Sequence, residues 1–234
     1  MHTDFSSQIP NLTPRLEKIA SLVPKNHCTA DIGTDHAYIP IYLVKTGIAK
    51  QAIASDIRRG PLLRAKENTE KYNLSSQIDL RLGSGLSTLS MGDAEAIIIA
   101  GMGGILIADI LEESRTVTDS AKLLILQPMT AVLELREYLV SHGFSVESEH
   151  LEVEDEKLYN IIVAKPNGEC HYTKKELYLG KGLTETSPHL FPRYKAEVIK
   201  KLSRRAEGLK SSEKDENKQL LAETESILNL LKEE

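Results

Sequence analysis

From Cys28 onward the chain has one rhythm: short apolar runs, each followed by a stretch with helical spacing of its apolar residues. That alternation is the signature of βαβ units wound into a mostly parallel sheet. Seven runs read as strands: Cys28–Ile32, Ala52–Asp56, Ile78–Leu82, Ala96–Ala100, Lys122–Gln127, Phe144–Glu152 and Leu158–Ala164. The first five are short and apolar, as strands buried on both faces must be. Only Asp155-Glu156-Lys157 stand at the centre of the gap between the last two. That is too little chain for a parallel crossover, so the pair predicts an antiparallel hairpin. The expected fold is a doubly wound, Rossmann-like α/β domain over residues 1–165, with seven strands and the last one antiparallel. A helix precedes it, with Thr13 as N-cap and Pro14 in the first turn, where a missing N–H is harmless.

After Ala164 the strand signals stop. Pro166-Asn167-Gly168 reads as a linker, and residues 166–234 as a helical C-terminal domain. Leu190, Tyr194, Val198, Leu202, Ala206 and Leu209 form one apolar stripe; Leu220, Leu221, Ile227, Leu228 and Leu231 form another. A turn over Gly208 to Asp215 makes these a coiled-coil-like α-hairpin. A single long coiled coil that dimerises is the alternative, and its seam breaks between Gly208 and Asn217.

Charge divides the chain in the same place. Residues 1–164 carry 15 Lys+Arg against 22 Asp+Glu, residues 165–210 carry 11 against 5, and residues 211–234 carry 3 against 7. A basic block beside an acidic body suits a phosphate-backbone partner, although a solvated helix face gives the same composition. The candidate contacts are Lys174, Lys175, Arg193, Lys195, Lys200, Lys201, Arg204 and Arg205. No apolar run approaches the roughly 20 residues of a membrane span, and residues 1–10 lack the basic start and apolar middle of a secretion signal. The expectation is a cytoplasmic protein with no membrane role and no protein partner implied. Cys28 and Cys170 stand far apart without metal-ligand spacing, so no metal is expected.

In a doubly wound sheet, ligands bind outside the carboxyl ends of the strands. The first strand ends in Asp31-Ile32-Gly33-Thr34-Asp35-His36. A nicotinamide dinucleotide needs three glycines at such a turn to admit its pyrophosphate. This turn has one, and its acids repel phosphate while attracting a sulfonium or amino group. Asp56, about 20 residues further on and followed by Ile57, is placed to hold ribose hydroxyls. Gly83-Ser84-Gly85 leave room for an adenine or make a plain turn. Ala100-Gly101-Met102-Gly103-Gly104 has three glycines in four residues between a buried strand and a helix, so backbone must pass close to a ligand there. Arg15 and His27 are further candidates for the cofactor, and Tyr159 for flanking a base. Two rival readings remain from the residues: an NAD-dependent oxidoreductase and a non-catalytic protein that binds a nucleic-acid backbone.

Four segments together resemble the bacterial tRNA (adenine(22)-N1)-methyltransferases of the TrmK family: Leu12-Thr13-Pro14-Arg15-Leu16-Glu17, Asp31 to Tyr38, Ala100 to Gly104, and Leu124-Ile125-Leu126-Gln127-Pro128. The resemblance implies a class I methyltransferase domain, S-adenosyl-L-methionine as methyl donor leaving S-adenosyl-L-homocysteine, and a helical C-terminal domain that helps hold tRNA. The turn after the fourth strand has no carboxylate and no Asn-Pro-Pro-Tyr. Adenine N1 has its own lone pair and needs no general base, so the chemistry reduces to positioning. Asp31, Asp35 and His36 are the candidates for tolerating the product's positive charge, and Met102 for packing against the adenine or target base. N1 lies on the Watson–Crick edge, so the target must be unpaired or extruded.

Overall fold

A computed structural model describes residues 8–210 and 215–233. The described residues divide into two compact units. One comprises the residues up to Ser148 together with Glu152–Cys170, and the other comprises Glu149–Leu151 and the residues from His171 on.

In the first unit seven strands form one sheet in the order β3-β2-β1-β4-β5-β7-β6. They are β1 (Thr29–Ile32), β2 (Ala52–Asp56), β3 (Ile78–Leu82), β4 (Ala96–Gly103), β5 (Leu123–Thr130), β6 (Phe144–Glu154) and β7 (Lys157–Pro166). β1 lies between β2 and β4, parallel to both, with Asp31 opposite Ala54 on one side and Ile98 on the other. β7 pairs antiparallel with β5, Ile125 facing Val163, and its other neighbour is β6, joined to it through Asp155-Glu156, so the last two strands make a hairpin as expected. The helices of this unit are α1 (Pro14–Ser21), α2 (Tyr38–Lys45), α3 (Arg59–Lys71), α4 (Gly104–Glu113), α5 (Arg115–Ser120) and α6 (Val132–Ser141). Thr13 does precede the first of them, but caps it through its backbone carbonyl, which accepts from Glu17 N at 2.8 Å.

Strand periodicity sends alternate residues of β4 to opposite faces. Ile97 and Ile99 pack with Ile107 and Leu111 of α4 and Leu135 and Leu139 of α6. Ile98 packs with Ile19 of α1 and Ile39 and Leu43 of α2. α3 shares the α2 face, where Ala65 packs with Ile41 and Val44. The helices therefore change face between the β1–β3 half and the β4–β5 half, and the order of strands reverses at β1 and β4.

β4 and β5 each run three residues further than their apolar residues signal. β4 continues through Met102 and Gly103, and β5 through Thr130, because Met102 pairs with Pro128 and Gly103 with Thr130 across irregularities of register. The glycine run is therefore partly strand. Its last member has a packing role: a Cβ on Gly104 would collide with the Ala131 carbonyl oxygen and lie 3.0 Å from that of Thr130. α4 can start against that backbone only from a glycine.

The second unit contains α7 (Lys174–Leu179), α8 (Leu183–Thr186), α9 (Phe191–Lys210) and α10 (Asp215–Lys232). A reciprocal capping box starts α7: Thr173 Oγ1 accepts from Glu176 N at 3.2 Å, and Thr173 N donates to Glu176 Oε2 at 2.7 Å. Both predicted stripes enter one apolar cluster, with Leu202 and Ala206 of α9 against Ile227, Leu228 and Leu231 of α10, and Leu179 beside them. Gly208 is helical instead of forming the expected turn, and residues 211–214 of that turn lie outside the described residues. Glu149 is fully buried and accepts from Tyr172 Oη at 2.8 Å and Lys181 N at 2.9 Å. Among the described residues no helix is long and apolar enough to cross a membrane, and no group of three or more His, Cys, Asp or Glu is arranged to hold a metal ion.

Two glycine substitutions test this packing in opposite directions. Gly104→Ala is expected to lower the unfolding free energy by about 1–3 kcal/mol through backbone overlap. Gly208→Ala, whose Cβ would meet nothing within 4 Å, should raise it by up to about 1 kcal/mol through helix propensity. Urea unfolding of both variants measures the two effects.

Candidate active site

The turn after β1 is built from backbone bonds to its neighbour. Gly33 N and Thr34 N both donate to Ser55 O at 2.8 Å. Thr34 Oγ1 accepts from Ala37 N at 3.1 Å, which leads the chain into α2. Gly33 has φ +79°, a conformation natural to glycine. It also has no room for a side chain, because a Cβ would overlap the Met102 methyl. Met102 of β4 thus lies over the β1 turn, at the point where strand order reverses.

Two buried carboxylates stand beside this contact. Asp31 is 7% exposed and Asp56 is 5% exposed. Burial pushes the Asp31 carboxyl up to about 6; the Thr34 hydroxyl opposes the shift, and the nearby Asp56 charge adds to it. Asp56 accepts from Arg58 N at 2.7 Å, which fixes the carboxylate at the end of β2. Around it, Ile57 is 65% exposed and Leu82 is 51% exposed. They are large apolar side chains at the carboxyl ends of adjacent strands.

Asp35 and His36 sit further out. Asp35 is ion-paired with Arg64, which holds its carboxyl below the usual carboxylate range, and His36 Nε2 is 3.2 Å from the same carboxylate. The His36 ring stacks on Tyr38 at 5.1 Å. Asp35 is therefore already matched by a cation of the protein itself, unlike Asp31.

The glycines expected at the site have distinct causes. Gly101 has φ +78° and open space where a Cβ would stand. The requirement there is backbone conformation and not clearance from protein atoms. A Cβ on Gly103 would lie 3.2 Å from Thr130 Oγ1, one on Gly83 2.6 Å from Thr88 Cγ2, and one on Gly85 3.1 Å from Ile110. Local packing accounts for Gly83 and Gly103, and Gly85 is held both by packing and by its φ of +50°. Ser84 O accepts from Ser87 Oγ at 2.6 Å inside the same turn.

His27 is not brought to the Gly33 turn in the way the sequence suggests, and Arg15 reaches the ends of β4 and β5 through Gln127. His27 precedes β1, with its ring at 3.1 Å from Lys25 O, and so lies at the amino end of that strand. Arg15 is engaged by protein groups: Nη1 donates to Gln127 Oε1 at 2.7 Å, Nη2 is 3.5 Å from Glu154 Oε1, and the guanidinium lies 5.2 Å from the Tyr159 ring centroid. Tyr159 is thus an Arg15 contact. Gln127 is fully buried and also accepts from Gly101 N at 3.1 Å. It carries no signal in the sequence as a site residue, since a glutamine in an apolar strand acquires meaning only from partners distant along the chain. A separate cavity of about 580 Å³, lined by Cys28, Gln51, Lys66, Gln77, Arg81 and Asp93, opens toward the amino ends of β1–β3. It is remote from the β1 turn.

In the second unit the basic residues fall into two groups. Arg193 pairs with Glu197 at 2.9 Å, and Lys175 donates to Glu233 O at 2.9 Å. Among the described residues Lys174, Lys195, Lys200, Lys201, Arg204 and Arg205 have no such partner. The last four form two pairs four residues apart on exposed α9 positions.

A family described as a methyltransferase domain matches residues 12–162. A relative from Bacillus subtilis (strain 168), named tRNA (adenine(22)-N(1))-methyltransferase, is 36% identical over 230 residues, covering 95% of this chain and 96% of the relative. The crystal structure of the B. subtilis M1A22 tRNA methyltransferase TrmK is similar at a TM-score of 0.87 and 35% identity, over 95% of this chain and 98% of that one. A Streptococcus pneumoniae protein solved in complex with S-adenosyl-L-methionine is similar at a TM-score of 0.76 and 34% identity, over 93% and 97% of the two chains.

The state of Asp31 sets a stability test. Its native pKa lies above that of an unfolded aspartate, so the folded chain binds the proton more tightly between about pH 4 and 6. That contribution is fully present below about pH 4 and is lost as pH rises through about 6. Urea unfolding from pH 4.5 to 7.5 should show wild type losing on the order of 2 kcal/mol relative to Asp31→Asn. Parallel pH profiles of the two proteins would contradict the assignment.

Proposed function

This chain belongs to the bacterial tRNA (adenine(22)-N1)-methyltransferase family, and from that premise we propose that it transfers a methyl group from S-adenosyl-L-methionine to N1 of an adenosine in tRNA, at position 22. The reading rests on one observation above the others: two buried carboxylates, Asp31 and Asp56, face the switch point where Met102 meets Gly33. A pyrophosphate would be repelled there, which disfavours the nicotinamide alternative. A cationic cofactor is favoured.

The residues present fit that cofactor. The Gly33 turn, at positive φ, brings backbone to the ligand, and Gly101 leaves open space beside it. Asp56 is fixed where ribose hydroxyls are held in such folds. Ile57 and Leu82 offer apolar surface for an adenine, and Asp31 a charge for the amino or sulfonium end. When bound, S-adenosyl-L-methionine supplies an electrophilic methyl group on sulfur.

What the chain contributes is placement. N1 of adenine uses a lone pair that it already has, so no side chain has to remove a proton. Met102 and the Gly101 backbone line the approach, and Asp31 favours the positive charge that moves to the base. Exclusion of water by Met102 and its apolar neighbours strengthens these effects. In the second unit Lys200, Lys201, Arg204 and Arg205 meet the phosphate backbone of the tRNA substrate.

Incubation of the protein with labelled S-adenosyl-L-methionine and tRNA should place label on N1 of a single adenosine, and the label should disappear when that adenosine is changed to guanosine. Tight NAD binding without S-adenosyl-L-methionine binding would overturn the reading. Replacing Lys200, Lys201, Arg204 and Arg205 with alanine should weaken tRNA binding about tenfold or more at low salt. The same change should flatten the logarithmic salt dependence by about one unit for each cation that met a phosphate. Cofactor affinity measured by calorimetry should not change.

A further inference from the structure

At the ends of β4 and β5 the fully buried side chain of Gln127 bonds in several directions at once. Its Oε1 accepts from Arg15 Nη1 at 2.7 Å and from Gly101 N at 3.1 Å. Its Nε2 donates to Pro128 O at 3.0 Å and lies 3.6 Å from the Met129 sulfur. Gly101 stands at a break in the β4–β5 register between Ala100 and Met102. Its N–H is therefore taken by a side chain and not by the ladder. Arg15 is in turn held by Glu154, through Nη2 at 3.5 Å and through its own backbone N–H to Oε2 at 3.3 Å.

The residues proposed to hold the cofactor occupy the ends of β1, β2 and β3. An acceptor attacking in line must come from the other half, over the ends of β4 and β5, where Gly101, Met102 and the exposed Met129 stand. Met129 is 46% exposed. Methionine is polarizable and adapts its shape, which suits a wall for a flat ring. Both methionines take their positions from segments that Gln127 ties together.

We propose that Gln127 is a positioning residue for the acceptor base: through the bonds its Oε1 accepts from Arg15 and Gly101 it holds the β4–β5 wall against which the adenine ring is aligned with the methyl group. The inference rests on the methyltransferase reading of the site. Its energetic basis is alignment, where displacement of about 1 Å costs up to about a hundredfold in rate.

The full chain distinguishes this role from simple core packing. Gln127→Glu keeps the acceptor for Arg15 and Gly101 and loses the Nε2 donor to Pro128 O and the Met129 sulfur, whereas Gln127→Met keeps size and apolar packing but no acceptor. If alignment through hydrogen bonds is the role, kcat on tRNA falls at least about tenfold in Gln127→Met and stays within about threefold of wild type in Gln127→Glu. The dissociation constant for S-adenosyl-L-methionine stays within about threefold in both. If Gln127 only fills space, the order reverses, with Gln127→Met active and Gln127→Glu impaired; that order overturns the proposal, as does a loss of cofactor affinity matching the loss of rate. Should Gln127→Met fail to fold, Arg15→Met decides: kcat lowered about fivefold or more with unchanged cofactor affinity supports the relay, and wild-type kcat overturns it. Wild-type protein inactive on tRNA would overturn the methyltransferase reading and this inference together. Active wild type with active Gln127→Met overturns the inference alone.

Discussion

The Met102 side chain lying on Gly33 is the contact on which the arrangement of the site depends. It exists because β1 and β4 are adjacent and parallel while the helices that follow them cover opposite faces of the sheet. Such a reversal leaves a crevice at the carboxyl ends that no helix fills. Gly33 is constrained twice there, by its positive φ and by the methionine above it. A side chain at that position would strain the backbone and push Met102 away from the β1 turn together.

The electrostatics follow from the same geometry. At the carboxyl ends of β1 and β2 the crevice buries Asp31 and Asp56, while Ile57 and Leu82 beside them stay exposed. Asp56 has Arg58 Nε at 3.5 Å, whereas Asp31 is out of water with no ion pair to a cation of the protein among the described residues, which is the physical reason for preferring a cationic cofactor beside Asp31. Asp35, one turn further along, escapes this because it reaches Arg64 at the surface. The difference between the two acids is one of burial and partner, not of residue type.

Much of this is written locally in the chain. The strand succession, the hairpin forced by Asp155-Glu156-Lys157, the Gly33 and Asp56 strand ends and the two stripes of the C-terminal helices follow from periodicity and spacing alone. What does not follow are facts of tertiary contact. Gly101 and Gly104 belong to one run, yet the first is set by its φ and the second by the Ala131 carbonyl on another strand's exit. Arg15 reads as a candidate cofactor contact until Gln127, 112 positions away, is placed against it. His27 reads as the mouth of the site because spacing alone gives nearness to a strand but not which of its ends matters. The extension of β4 through Gly103 depends on pairing with Pro128 and Thr130, which neither segment's composition signals.

A crystal structure of the protein with S-adenosyl-L-homocysteine tests the central claim most directly. Electron density should run from Gly33 to Asp56, with the ribose at the Asp56 carboxylate, the adenine between Ile57 and Leu82, and the sulfur turned toward Met102. Density instead in the 580 Å³ cavity lined by Cys28, Arg81 and Asp93, with none over Gly33, would contradict the account.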